Sequence, residues 1–195
     1  MKGKKNTKLE EIKNGKNQGK LIIDATCAPA DISYPTDLNL LNQGRKFTEK
    51  IIDILYKTIK NQLQKKPITY RQTARKEYLK VAKKRRPTRK EIRNAIKKKL
   101  KYVSKNLKTI DLLIKESASL ESLSNRLYKT LLVVSEVYRQ QQWMWDNKEQ
   151  RIEQRIVSLN QPHVRPIVRG KAGKNTEFGA KLSASCIDGY VFLHR

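Results

Sequence analysis

Apolar residues first recur at helical spacing after Thr36. Leu38, Leu41, Ile52, Leu55, Ile59 and Leu63 fall on one face, with Lys and Glu elsewhere. Thr36 suits the cap position and Asp37 the positive helix end. Pro67 interrupts, and a shorter helical stretch follows around Tyr70 to Ala82 until KKRRP breaks it. Thr88-Arg89-Lys90-Glu91 is a capping box, a specific start signal. Behind it Ile92, Ile96, Leu100, Val103, Leu107, Ile110 and Ile114 recur at three and four residues. Ser119 leads into another stripe: Leu120, Leu123, Leu127, Leu131, Val134 and Tyr138. These stripes predict helix-packing faces, and together a helical hairpin or small bundle.

Two regions carry a different period. Near the start, LIIDATCAPAD contains a brief apolar strand, Leu21 to Asp24, followed by a turn through Pro29 and Pro35. Near the other end, Arg155-Ile156-Val157-Ser158-Leu159 reads as strand, and Phe178 to Ile187 alternates as a longer one. Asp188-Gly189 is a two-residue hairpin signal, with Tyr190 to His194 returning. Two strands rarely stand alone, so the first strand is the natural third. The predicted class is α/β, or more loosely α+β: a mixed sheet with a long helical insertion after its first strand. Four segments follow. Residues 1–20 are a flexible basic lead-in, 21–35 the first strand and turn, 36–146 the helical insertion, and 147–195 the remaining strands.

Charge changes the picture. Lys and Arg total 44 against 18 Asp and Glu, a net +26, which points to a polyanionic partner, DNA or RNA, ahead of a membrane surface. The surplus peaks between Lys65 and Lys108, where the only acids are Glu77 and Glu91. Lys83, Lys84, Arg85 and Arg86, with Arg89 and Lys90 close behind, are the densest point and the first candidates for phosphate contact. Against this stands a plain solvated helix face, disfavoured because the charges are of one sign. A second patch, HVRPIVRGKAGK, carries Arg165, Arg169, Lys171 and Lys174 among glycines that let backbone amides approach an anion. It lacks P-loop spacing; a mobile basic loop and, from its place just before the hairpin, a role beside the site of Asp24 are equally open readings. No apolar run reaches membrane-spanning length, and the basic N-terminus has no apolar stretch behind it, so the cytoplasm is expected. Cys27 and Cys186 belong to no CxxC pair and are read as buried thiols rather than zinc ligands.

Asp24 is the one candidate for chemistry. A carboxylate at the end of an apolar strand is costly unless paired. Small residues behind it, antiparallel strands and basic surroundings make a layout for holding Mg²⁺ against a phosphodiester. LIIDATCAPADISYPTDLNLLN resembles the first catalytic-strand block of bacterial insertion-sequence transposases of the DDE class. RIVSLNQPHVRPIVRGKAGKNTEFGAKLSASCIDGYVFLHR resembles their following block, and YRQQQWMWDN fits just upstream. The resemblance runs from Lys20 onward and is looser in the helical middle. It implies a partial ribonuclease-H-like sheet, two-metal strand cleavage and joining with Mg²⁺ or Mn²⁺, and binding of the mobile element's DNA ends in association with the nucleoid. It also implies a homo-oligomer or a complex with full-length transposase. On it, Asp24 matches the first of three catalytic carboxylates and is a metal ligand. The family's second Asp and final Glu have no counterpart before Arg195. Asp31 and Asp37 follow Asp24 too closely to replace them, and Asp188 belongs to a turn. The expectation is a transposase fragment that binds DNA and is inactive alone. The rival expectation is a nonenzymatic basic nucleic-acid-binding or inhibitory protein.

Overall fold

The structure is a computed structural model and describes residues 22–30, 32, 34–63, 65–168, 176–187 and 190–194. The chain is α+β. Its order is β1 (Ile22–Pro29), α1 (Asp37–Thr58), α2 (Arg71–Ala82), α3 (Arg89–Lys115), α4 (Asn125–Asp146), β2 (Arg165–Val168), β3 (Thr176–Ile187) and β4 (Tyr190–His194). The predicted lead-in lies outside the described residues. The described residues fall into two units, one within 28–180 and the other comprising 22–27, 181–187 and 190–194.

Capping sets the helix starts in the first unit. Thr36 Oγ1 accepts the Asn39 amide at 3.3 Å. Thr88 Oγ1 accepts the Glu91 amide at 3.2 Å while Glu91 returns to the Thr88 amide at 3.0 Å. Both are where the sequence puts them. Ser119 differs: it caps only a short 3-10 turn, Leu120–Ser122, and Ser124 caps α4. Helix α1 stops at Thr58, so Leu63 packs on the core from beyond its end.

Helix α1 packs against α3 and α4, and α2 lies on α3. The apolar stripes meet in two clusters. One gathers Ile51, Ile52, Leu55 and Ile59 with Ile110, Leu113, Leu127 and Leu131. The other gathers Leu40, Leu41, Leu100, Val103, Val134 and Val137 with Ile156 and Leu159. Gly44 lets α1 and α4 approach closely; a Cβ there would meet Val134 Cγ1 at 3.3 Å. A polar strip crosses this core. Arg45 pairs with Glu49 at 2.5 Å and also bonds Asn42 Oδ1, and Asn106 Nδ2 donates to Thr48 Oγ1 at 2.9 Å. Each of these groups is buried and satisfied, which the low dielectric demands.

The strand expected over Arg155 to Leu159 is not one. Ile156, Val157 and Leu159 are buried, but the segment is irregular and covers the helices. A side chain of another element takes the place of a strand partner at one position, where Ile156 donates its amide to Gln140 Oε1 at 2.9 Å, and the Arg155 guanidinium pairs with Asp37. Conversely, Arg165–Val168, expected to be loop, is β2. It pairs antiparallel with β3, from Arg165 opposite Gly179 to Val168 opposite Thr176. Pro166 lacks an amide donor, and among the described residues its strand pairs only with β3, the edge position where a proline is tolerated.

In the second unit β3 and β4 form an antiparallel ladder from Ser183 opposite His194 to Ile187 opposite Tyr190. That register fits the expected two-residue hairpin, whose Asp188 and Gly189 lie outside the described residues. The strands pair in the order β1–β3–β2, with β4 also on β3. β1 is longer than expected, and Asp24 is its third residue rather than its end. The small residues after Asp24 extend the strand, and Pro29 ends it.

Candidate nucleic-acid interface

KKRRP breaks α2, so the densest charge sits in the connector before α3 rather than on a helix face. Lys83, Lys84, Arg85 and Arg86 are all exposed. Lys84 pairs with Glu91, which ties the connector to the capping box. That hydrogen bond first, and the Thr88 amide second, hold the Glu91 carboxyl down at about 2. Arg89 and Lys90 are exposed in the first turn of α3. Cations there oppose the helix dipole, a placement that local helix stability does not explain.

Helix α3 continues the charge. Arg89, Arg93, Lys97, Lys101 and Lys105 recur at every fourth position, followed by Lys108, and all are exposed. Residues four apart are neighbours on a helix surface. In sequence the ladder is part of the dense basic stretch, and the signal that sets it apart is its four-residue period. Within the basic stretch, Lys66 and Arg71 pair with Asp53 at 2.8 Å each, Lys98 with Glu77 at 2.6 Å, and Lys84 with Glu91. None of the ion pairs among the described residues involves the six ladder cations.

Lys99 belongs to the same stretch and does something else. It is 1 % exposed and donates to the Ala74 carbonyl of α2 at 2.5 Å. Its ammonium lies 5.6 Å from the rings of both Tyr78 and Tyr102. Burial, and then the charge of Arg45, push its pKa down to about 8. Glu77 anchors the same corner by accepting from Tyr102 at 3.0 Å. Burial raises Tyr102 and its bond to Glu77 raises it further. Lys99 therefore seats α2 on α3, and the outward cations keep their places.

The second basic patch separates into parts. Arg165 opens β2, and its guanidinium donates to the carbonyls of Pro162 and Val164, the latter at 3.0 Å, and to Gln154 at 3.2 Å. Its donors serve its own chain. Arg169, Lys171 and Lys174 lie outside the described residues. Asp24 lies on β1. Asp37, set aside above as a replacement carboxylate, is engaged by Arg155 and by Gln141 at 2.7 Å. Among the described residues no group of three or more His, Cys, Asp or Glu could hold a metal ion. One carboxylate is a poor donor set for Mg²⁺, which takes about six oxygens.

No family model matches the chain, and no curated protein or solved structure matches it either. Among the described residues no helix is long and apolar enough to cross a membrane. What the arrangement can do chemically is electrostatic. Helix α3 presents a ladder of cations with no ion pair among the described residues, and the connector before it adds exposed cations of which Lys84 is held by Glu91.

Proposed function

We propose that this chain is a DDE-type transposase segment whose helical unit binds DNA through its phosphate backbone. One observation carries the binding: the exposed ladder from Arg89 to Lys108, which makes no ion pair among the described residues and is continuous in sequence with the Lys83–Arg86 connector. Such contacts give strong salt dependence and little sequence preference. The transposase identity is supported by the resemblance of the two end blocks. On it, β1, β3, β2 and β4 correspond to part of a ribonuclease-H-like sheet, and Asp24 to its first metal-binding carboxylate. Mg²⁺ or Mn²⁺ would be held there only together with further carboxylates.

The second reading, a nonenzymatic nucleic-acid-binding protein, is favoured by the helical unit's own core and its charged face, neither of which needs Asp24. Titrating labelled duplex at several salt concentrations tests both. Neutralising Lys83, Lys84, Arg85 and Arg86 is expected to reduce the log–log salt slope by about 3, since each phosphate contact contributes about 0.9 and Lys84 is partly held by Glu91. An unchanged slope removes the connector from the interface. Asp24→Asn is expected to leave this binding intact. Metal-dependent nicking of element-end DNA that Asp24→Asn abolishes would favour the transposase over the plain binder.

A further inference from the structure

The ladder borders a groove. A cleft of about 420 Å³ runs between α3 and α4, lined by Lys97, Lys101, Lys105 and Lys108 on one side and by Tyr138 and Trp145 on the other. No acidic residue lines it. The four lysines span about 16 Å of helix at 1.5 Å per residue. Lys105 is steadied at the rim by Tyr70, its ammonium 4.1 Å from the ring centroid and 3.1 Å from the hydroxyl. Trp145 also borders a second groove of about 530 Å³, and the Arg93 guanidinium lies over its ring, 4.5 Å from the centroid.

Packing explains this geometry only in part. Trp145 and Tyr138 do pack on the core, but both remain partly exposed in the groove. Duplex phosphates need only a convex or flat cationic surface. A concave cleft with aromatic rings opposite a row of cations suits a strand whose bases are free to stack. We propose that this groove binds an unpaired DNA strand, with a base stacked on Trp145 and phosphates on Lys97, Lys101, Lys105 and Lys108. The inference rests on the reading that the helical unit binds DNA, and it names the form of DNA that the groove takes.

The experiment uses the full chain with oligo(dT), oligo(rU) and a DNA duplex of equal length, followed by fluorescence anisotropy. Trp145→Leu is expected to weaken oligo(dT) binding at least fivefold, within the range of one lost base stack, and duplex binding less than twofold. Trp145→Phe should recover most of the loss, and equal thermal midpoints for the two variants exclude unfolding as the cause. The chain has two tryptophans, so in Trp143→Phe the emission comes from Trp145 alone. Oligo(dT) should quench it, and the duplex should not. Equal losses for single strand and duplex, or no quenching at saturation, would overturn the groove assignment while leaving duplex binding in place. Tighter binding of oligo(rU) than oligo(dT) would overturn the choice of DNA. A full chain that binds neither single strand nor duplex at low salt would remove the DNA-binding reading itself.

Discussion

Lys99 shows how far a residue's role can depart from its composition class. A lysine in a basic run reads as surface charge, yet this one is buried against Ala74, Tyr78 and Tyr102. Its pKa of about 8, against an ordinary 10.5, means that the unfolded chain binds more protons than the folded one between those values. Stability from this residue therefore rises with pH from about 8 upward, by at most about 1.4 kcal/mol per unit. Urea unfolding between pH 7.5 and 9.5 should show that rise, and Lys99→Met should flatten it. The neighbouring buried pair behaves differently. Glu49→Ala leaves Arg45 charged and buried with only Asn42 to bond, and should cost about 3–5 kcal/mol by denaturant midpoint. Arg45→Met with Glu49→Leu together should cost much less, because no charge is then stranded.

At the scale of elements, the start of α3 is where structure and interface meet. The capping box fixes the helix end, and the same Glu91 holds Lys84 of the connector. Thr88→Ala should cost about 1 kcal/mol of stability. Glu91 titrates near 2 rather than 4.5, so the staple is complete above pH 4.5 and is lost as pH falls toward 2. An NMR titration of the Thr88 amide should follow that transition, and a midpoint at the ordinary carboxylate value would contradict it. The capping box was legible because it is written in four adjacent residues. The strand assignments at Arg155–Leu159 and Arg165–Val168 were not, because apolar alternation does not say whether a strand or a side chain satisfies the backbone. Here Gln140 answers for Ile156, and β3 answers for β2.

For the whole molecule, stability should be uneven. The helical unit has two continuous apolar clusters and a satisfied polar strip. β4 leaves Tyr190, Val191 and Phe192 exposed, at 73 %, 66 % and 50 %. Hydrogen exchange should therefore show the strongest protection in α1, α3 and α4 and weaker protection in β3 and β4. Uniformly strong protection from Phe178 to Phe192 would contradict this ranking.

The sequence by itself determined the helical stretches, the caps of α1 and α3 and the apolar faces that are buried, because periodicity and capping are local. It also determined the sign and the density of the charge. Tertiary structure decided which cations remain outside. It withdrew Lys99 into the core, committed Arg165 to its own chain, and paired Lys66, Arg71, Lys84 and Lys98 with acids. It also set the α3 ladder opposite Tyr138 and Trp145 on α4. Lys84 and Arg165 find their partners nearby in the chain, and Lys66 and Arg71 find theirs on α1. The contacts of Lys98 and Lys99 with α2, and the placing of the ladder opposite α4, join residues far apart that only the packing of α3 against α2 and α4 brings within reach.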